Sequence, residues 1–371
     1  MARMRIKDIA AEADVSPATV SRYLNGHFDA MGADTRERIA EVIERTGYRP
    51  SVAARSLRTD RSYMLGVIMA DIQNPYSGAM LEELDARAAK RGYSLMCATS
   101  GNDPEREIAA VERLVSAGVD GLIVNTCSEE GSGLVEANRR VPVVLLDRDV
   151  TGSPLDLVTS NNAQLTASLV GELAERGCKR VCLFSERDAT SSVRRGRARA
   201  FAAEAERLGL AGGVSRLGED AGRNIEVVAD ALARKTGEAL GGAPDSGGGA
   251  PGDVSDNGDD TPGGAAPSPT GLIAVNGVVF LRLVEALDAL GVRVPADARL
   301  ATFDDYAWNH VLYGGVTTAV QDTATIAEAA LERTLERVEQ RGTEAPRAKA
   351  AAAPGHVEVP GRVIARTSTR G

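Results

Sequence analysis

The chain has 371 residues and a formal net charge of −9, from 43 basic and 52 acidic side chains. This length is too great for one small core and suits a small domain joined to one or two larger ones. No apolar run is as long as a membrane span and the amino terminus has no apolar signal core, which argues against a membrane or secreted protein and predicts a cytoplasmic one.

The first predicted elements are two short helices joined by a tight turn, within residues 6–26. The apolar stripe of the first helix is formed by Ile6, Ile9, Ala10 and Ala13. Ser16 before Pro17 predicts the start of the second helix, because serine caps helices and proline is tolerated at the first helical position. From that start, Val20 and Leu24 face the first helix. The side chains left facing outward are Pro17, Ala18, Ser21, Arg22 and Asn25.

This pattern predicts a helix-turn-helix whose second helix enters a DNA major groove. There Arg22 can bind guanine through two hydrogen bonds, and Pro17 or Ala18 can contact a thymine methyl group. Residues 1–61 carry 11 basic and 9 acidic side chains, a net charge of +2, so the acidity lies in the rest of the chain. The alternative is a small helical bundle with a solvated face.

A third helix and a basic segment follow. Asp34 and Glu37 have the spacing of a capping box, and Gly47 is a stop signal. Residues 52–57 can form one or two helical turns, which are marginal alone and are expected to order only against a partner. Leu57 stands among Arg55, Arg58 and Arg61 as an apolar wedge for the minor groove. The alternative is a plain interdomain linker.

Residues 4–62 resemble the DNA-binding headpiece and hinge of the LacI/GalR family of bacterial transcription regulators, through DIAAEADVSPATVSRYLNG, TRERI, TGYRP and ARSL. The resemblance implies a dimer on a pseudo-palindromic operator. It places Pro17, Ala18 and Arg22 at base-reading positions and Leu57 at the hinge leucine. The residues assigned to DNA contact are Ser16, Pro17, Ala18, Thr19, Ser21, Arg22, Asn25, Tyr48, Ala54 and Leu57.

From Met64 onward, short apolar runs alternate with amphipathic stretches. The runs include residues 65–70, 121–125, 143–147, 180–184, 271–275 and 299–303. Gly92, Gly118 and Gly177 stand where helices are expected to end. This alternation predicts an α/β body of doubly wound parallel sheets covered on both faces, with a ligand at the carboxyl ends of the strands.

Polar and aromatic side chains follow these runs and suit a sugar-like ligand. Taken singly, each of them is more often a loop residue or a helix cap than a ligand contact. Asp304 and Asp305 could form an acid–base pair, but no histidine, cysteine or serine triad accompanies them. Enzyme chemistry is therefore the weaker interpretation, and neither a metal nor a cofactor is expected.

The family resemblance extends across the body through LGVIMADIQNPYSGAMLEEL, NDPEREI, VDGLIVNT, LLDRD, SSVRRGRARAF, FDDYAW and VTTAVQD. It implies two lobes like those of periplasmic sugar-binding proteins, with the effector in the cleft. The residues assigned to the effector are Tyr76, Asn102, Asn125, Asp147, Arg148, Arg197, Phe201, Asn276, Asp304, Trp308 and Gln321. Further motifs resemble the subgroup of 2-keto-3-deoxygluconate repressors, which implies a sugar acid held by Arg148 and Arg197.

Two features depart from the family pattern. Gly277 stands where members usually carry an aspartate. Residues 241–270 are rich in glycine, proline, serine and aspartate, which predicts a disordered acidic surface loop. The four cysteines have no metal-ligand spacing and are expected to be free thiols buried in strands.

The expected domains are a helix-turn-helix headpiece at 1–50, a hinge helix and linker at 51–62, and an effector-binding and dimerisation domain at 63–371. Its first lobe is expected at about 63–161 and 322–345, and its second at about 162–320 and 346–371. The predicted function is a dimeric repressor of a carbohydrate or sugar-acid operon, released from DNA by a sugar-like effector. The alternatives are a soluble sugar-binding receptor, and a sugar enzyme with a fused DNA-binding module.

Overall fold

The computed structural model describes residues 4–24, 26–29, 31–48, 61–186, 191–233, 268–342 and 355–370. The chain divides into two compact units, Met1–Met64 and Leu65–Gly371. The sequence predictions that lie outside the described residues are those for Asn25, Ala54, Leu57, the hinge helix at 52–57 and residues 241–267 of the insertion.

The described residues of the amino-terminal unit form three helices, α1 (Ile6–Glu12), α2 (Pro17–Leu24) and α3 (Ala33–Thr46). Its buried core is formed by Ile9, Ala10, Ala13, Val20, Ile39 and Val42. The Ser16 hydroxyl accepts a hydrogen bond from the backbone N–H of Thr19 at 3.1 Å, which confirms the predicted start of α2.

The predicted capping box at Asp34 is wrong. Helix α3 begins at Ala33, its N-cap is Gly32 in an extended conformation, and no side chain caps it. Asp34 is therefore already helical, where its charge favours the positive end of the helix without accepting a capping bond. The predicted stop is confirmed, because Gly47 is left-handed with φ 60°.

The body contains two six-stranded sheets. The strands are β1 (Met64–Met69), β2 (Ser94–Thr99), β3 (Gly121–Val124), β4 (Val143–Leu146), β5 (Asp156–Ser160), β6 (Arg180–Glu186), β7 (Ala211–Leu217), β8 (Thr270–Ala274), β9 (Ala298–Phe303), β10 (Thr317–Val320), β11 (His356–Val359) and β12 (Arg362–Ile364). The helices are α4 (Pro75–Lys90), α5 (Pro104–Ser116), α6 (Ser132–Arg140), α7 (Asn162–Glu175), α8 (Ser192–Arg207), α9 (Ala221–Ala233), α10 (Gly277–Ala289), α11 (Thr323–Gly342) and α12 (Thr367–Arg370). Two short 3-10 helices, Ala307–His310 and Leu312–Gly314, follow β9.

The first sheet has the order β11-β5-β4-β3-β1-β2 and the second has the order β12-β10-β9-β8-β6-β7. We call each sheet with its covering helices a lobe. Strands β4 and β5 pair in parallel, as do β8 and β9, whereas β12 runs antiparallel to β10. The predicted α/β fold is confirmed, with one antiparallel edge strand added. Gly92, Gly118 and Gly177 have φ values of 75°, 79° and 86°, as expected at helix ends.

The chain crosses between the lobes three times, from β5 to α7, from β10 to α11 and from β11 to β12. The expected boundary that assigned all of 346–371 to the second lobe is wrong. Strand β11 pairs in parallel with β5 of the first sheet, and only β12 joins the second. Strands of four and three residues carry too little pattern to reveal which sheet they enter.

The expectation of cysteines buried in strands holds only for Cys182, in β6. Cys127 and Cys178 are buried outside strands. Cys97 lies in β2 but is exposed, because β2 is at the edge of the first sheet.

Candidate DNA-binding helix and ligand cleft

Helix α2 presents a short exposed surface of Pro17, Ala18 and Arg22, while Val20 is fully buried beneath it. Ser21 and Thr19 are half-buried. The Thr19 hydroxyl lies 2.9 Å from that of the exposed Ser16, so both belong to the helix cap. Tyr48 is half-buried against the helical core. The helix thus keeps small side chains and one arginine on its outer surface.

The loop after α2 contains an aromatic contact that sequence reasoning did not single out. The rings of Tyr23 and Phe28 meet edge to face, with centroids 5.7 Å apart. The Arg36 guanidinium lies 5.4 Å from the Phe28 ring centroid. This contact ties the end of α2 to α3.

Between the two lobes is a cavity of about 30 Å³, lined by Asn74, Tyr76, Asp147, Arg148, Ser191, Val193, Arg194, Arg197, Val275, Asn276, Asp304 and Gln321. Most of these residues stand at or just beyond the carboxyl ends of strands, because the two sheets point those ends at each other. The cavity brings together seven of the predicted effector residues: Tyr76, Asp147, Arg148, Arg197, Asn276, Asp304 and Gln321.

The other four predicted effector residues do not line the cavity. Asn102 and Asn125 support it, the first by accepting a hydrogen bond from Arg148 and the second by donating to the Leu146 carbonyl. Phe201 is buried in the core of the second lobe. Trp308 packs against that core, with its ring 4.7 Å from the Tyr306 ring.

Arg197, in the lining of the cleft, is held by two hydrogen bonds from its edge and by stacking of its flat face. Its Nε donates to Asn162 Oδ1 at 2.8 Å and its Nη1 donates to the Val275 carbonyl. The guanidinium stacks over the Phe303 ring, 3.6 Å from the centroid. Its position is thereby fixed before any ligand arrives.

Two further arginines line the cavity with different partners. Arg194 pairs with Glu186, which also accepts a hydrogen bond from Asn276 at 3.1 Å. Arg148 is buried and donates only to neutral oxygens, Asn102 Oδ1 at 3.2 Å and the Thr126 carbonyl at 3.3 Å. Among the described residues, no carboxylate lies within ion-pair distance of Arg148.

Two cleft carboxylates face these cations. Asp147 and Asp304 follow β4 and β9 and have left-handed backbones, with φ values of 64° and 67°. Gln321 Nε2 donates to Asp304 Oδ1 at 2.6 Å. In contrast, Asp147 Oδ1 and the hydroxyl of Tyr76 are buried and have no hydrogen-bond partner among the described residues. Such groups are costly unless something pairs with them.

Burial dominates the ionisation of these groups. It raises the pKa of Asp147 and of Asp304 above their usual range, while the nearby charge of Arg197 opposes the rise. It lowers the pKa of Arg148, which the charge of Arg194 lowers further. Burial and the two carboxylates together raise the pKa of Tyr76.

The lobes touch across the mouth of the cleft. The Arg195 side chain pairs with Glu129 of the opposite lobe. The backbone N–H of Asp149 donates to the Ser192 hydroxyl at 2.8 Å. Because a cavity of about 30 Å³ has room for no more than a few water molecules, the cleft is closed.

Sequence reasoning did not assign five lining residues to the effector: Asn74, Ser191, Val193, Arg194 and Val275. Asn74 carries the signal of a helix start, since it precedes Pro75 and accepts from the Tyr76 N–H at 3.2 Å. Arg194 lies one turn before Arg197 on α8, which is a spacing that could have indicated a shared face.

Two other kinds of site were sought in the described part of the chain. No group of three or more histidine, cysteine, aspartate or glutamate side chains there is placed to hold a metal ion. No described helix has the length and apolar character needed to cross a membrane.

Three family models match the chain. The model for bacterial regulatory proteins of the lacI family matches residues 5–51. The model for periplasmic binding proteins and the sugar-binding domain of the LacI family matches residues 62–218. A periplasmic binding protein-like domain matches residues 170–369.

Relatives and solved structures match over nearly the whole chain. The HTH-type transcriptional regulator KdgR of Bacillus subtilis (strain 168) is 30% identical over 98% of this chain and 97% of its own. The regulator PtxS of Pseudomonas aeruginosa is 31% identical over 99% and 96%. A lac repressor dimer bound to operator and the anti-inducer ONPF has a similar fold, with a TM-score of 0.76, 19% identity and full coverage of both chains.

Proposed function

This chain belongs to the LacI family of bacterial regulatory proteins, and we propose that it is a dimeric repressor that a sugar acid releases from its operator. The chain is a transcriptional regulator, like its relatives.

The observation that supports a sugar acid is the set of unmatched groups in the closed cleft. Arg148 is buried and makes no ion pair among the described residues, while Asp147 Oδ1 and the Tyr76 hydroxyl have no partner. A ligand with a carboxylate and several hydroxyls would pair with all three groups. A neutral sugar would leave the arginine without an anion.

We place the ligand carboxylate at Arg148 and its hydroxyls at Asp147, Asp304 and Asn276. Arg197 is the central cation between these groups, fixed by its stacking on Phe303. The cavity of about 30 Å³ is too small for a six-carbon acid, so entry requires the lobes to separate and then to close around the ligand.

For DNA, we propose that the exposed face of α2 reads base edges and that the segment at 51–62 completes the contact. Arg22 would bind guanine in the major groove. Effector binding changes the preferred arrangement of the two lobes, and through the dimer it changes the spacing of the paired amino-terminal units. The effector acts only through its different affinities for the two arrangements.

The direct test compares D-gluconate, 2-keto-3-deoxygluconate and D-glucose, by calorimetric titration and by release of the protein from a palindromic operator fragment. Gluconate and glucose share the configuration at C2 to C5, but gluconate is an open chain with a carboxylate at C1, whereas glucose is a neutral ring. We expect an acid to bind at least 10-fold more tightly than glucose and to release the operator. Preference for glucose would contradict the sugar-acid assignment, and failure to bind DNA would contradict repression.

We also propose that the cleft binds its ligand without converting it. Asp304 already accepts a hydrogen bond from Gln321, and the described cleft lining contains no histidine or cysteine. The acid should be recovered unchanged after long incubation with the protein, as followed by NMR. Because the proposed partner is chromosomal DNA, we place the protein in the cytoplasm.

A further inference from the structure

A buried chain of two hydrogen bonds leads away from the ligand cleft. Gln321 Nε2 donates to Asp304 Oδ1 at 2.6 Å, and the Ser160 hydroxyl donates to Gln321 Oε1 at 2.7 Å. All three side chains are at most 7% exposed. Ser160 does not line the cavity, and among the described residues its hydroxyl bonds to the lining residue Gln321.

This chain of bonds lies where the polypeptide crosses between the lobes. Ser160 ends β5 of the first lobe at the first crossover, and Gln321 follows β10 at the second. The third crossover is tied to the same place, since Asn161 Oδ1 accepts from the N–H of Gly361 at 2.8 Å. Asp304 belongs to the second lobe, where its own N–H donates to Ala319.

The orientation of the Gln321 side chain decides whether its amide N–H or its amide oxygen faces Asp304. An ionised Asp304 can only accept hydrogen bonds, so it requires the amide nitrogen and repels the amide oxygen. The Ser160 hydroxyl binds the opposite end of the amide. A donor there also polarises the amide and strengthens the bond from Nε2.

We propose that Ser160 is a positioning residue for effector binding, which it serves by holding Gln321 with its N–H toward an ionised Asp304. The inference rests on the proposed ligand role of the cleft. Without the Ser160 hydroxyl, no donor holds the amide oxygen of Gln321, so the amide can rotate. Asp304 then loses the hydrogen bond from Gln321 Nε2 that stabilises its ionised form.

The ionisation of Asp304 depends on every charged group that faces it. These are Arg197 from α8, Asp147 after β4, Tyr76 from α4 and the neighbouring Tyr306. None of these groups touches Ser160 in the hydrogen bonds of the described residues. The Ser160 carbonyl also accepts from Asn162, which accepts from Arg197, but that link uses the backbone and is kept in every Ser160 variant. Changing the Ser160 hydroxyl therefore acts on Asp304 through Gln321.

The first experiment uses the full-length protein without ligand and compares melting temperatures from pH 5 to 8 for wild type, Ser160→Ala and Ser160→Thr. A carboxyl whose pKa is raised on folding destabilises the folded state as pH rises toward that pKa. The alanine variant raises the pKa of Asp304 further, so its melting temperature should fall increasingly below wild type as pH rises. The threonine variant keeps a hydroxyl and should follow wild type.

A constant difference across pH would overturn the inference, because a purely structural loss of one bond does not titrate. So would a threonine variant as affected as alanine. If the alanine variant does not fold, Ser160→Cys replaces it, because a thiol is only a weak hydrogen-bond donor. Its melting temperature should then fall below that of the threonine variant as pH rises.

The second experiment titrates gluconate and 2-keto-3-deoxygluconate while following the fluorescence of Trp308, the single tryptophan of the chain, whose ring stacks near the cleft on Tyr306. Ser160→Ala should weaken binding by about 5- to 10-fold at pH 7.5, and in a Gln321→Met background it should add no further loss. An equal loss in both backgrounds would overturn the inference. If the wild type binds neither acid, the proposed effector is wrong, and the ligand-free experiment still decides the role of Ser160.

Discussion

Arg148 and Asp147 are adjacent in the chain but stand in different surroundings in the cleft. The arginine donates to neutral oxygens, and one oxygen of the aspartate has no partner. Both groups are buried, so each remains costly until a ligand supplies the opposite partner. Under the proposed function, this pair favours a ligand that brings an anion and a hydroxyl.

Replacing Arg148 with methionine should remove the preference for a sugar acid. A hydrogen bond to a charged group contributes roughly 1.5–3 kcal/mol, or about 10- to 100-fold in affinity. We expect gluconate affinity to fall by this factor and glucose affinity to change little, as measured by calorimetric titration. Arg139→Met, an exposed arginine on α6 of the same lobe, is the matched control. Equal losses for both sugars would show that Arg148 does not recognise the carboxylate.

Acidification should weaken effector binding. Burial raises the pKa of Asp147 in the ligand-free cleft, and a ligand hydroxyl prefers the ionised form as its acceptor. Affinity is therefore complete above this raised pKa and is lost as pH falls through it, at a pH above the ordinary titration range of aspartate. Titrations at a series of pH values should show the decline, and Asp147→Asn should abolish it. A flat wild-type profile would exclude Asp147 as the acceptor.

Helix α2 packs one side against the three-helix core and leaves the other side exposed to solvent. Its start is fixed by the Ser16 cap, and Val20 anchors it to the three-helix core. Those two constraints set the rotation of the helix about its axis. Pro17, Ala18 and Arg22 are exposed as a consequence of that rotation.

Replacing Arg22 with alanine should reduce operator discrimination more than general DNA affinity. A bidentate contact to guanine contributes about 1–3 kcal/mol of discrimination, whereas contacts to phosphate carry no sequence information. Competition between operator and random duplexes at fixed salt measures the difference. The matched control is Arg38→Ala on α3, which should change both affinities alike. If Arg22→Ala lowered the affinities for operator and for random DNA by the same factor, Arg22 would have no role in base reading.

At the scale of the whole molecule, the two lobes share three crossovers and meet across a closed cleft. The contacts at the mouth, Arg195 with Glu129 and Asp149 with Ser192, exist only when the lobes are together. Exposed ion pairs contribute little, roughly 0–1 kcal/mol. The balance between open and closed lobes is therefore easily moved by a ligand that bridges both sides.

The effector and the operator should each weaken binding of the other by the same factor. If the acid binds one lobe arrangement and DNA prefers the other, thermodynamic linkage requires the reciprocal change. We expect saturating acid to weaken operator binding by about 5- to 150-fold, and saturating operator to weaken acid binding equally. Gel-shift titrations and Trp308 fluorescence measure the two sides. Unequal factors at equilibrium would contradict a single shared transition.

The sequence alone determined the features that depend on neighbouring residues. Ser16 before Pro17 indicated α2, glycines marked helix ends, and alternating apolar runs indicated parallel sheets whose strand ends carry Asp147, Asn276 and Asp304. These signals are local, since caps, turns and periodicity act within a few residues.

Only the tertiary structure decided which distant segments meet. Strand β11 joins β5, and Gly361 binds Asn161, across 200 residues of chain. The links from Ser160 through Gln321 to Asp304, and the inclusion of Arg194 in the cleft, likewise arise from packing of separate elements. Such contacts depend on how whole sheets and helices bury their apolar faces, and that energy is not encoded in any short stretch of sequence.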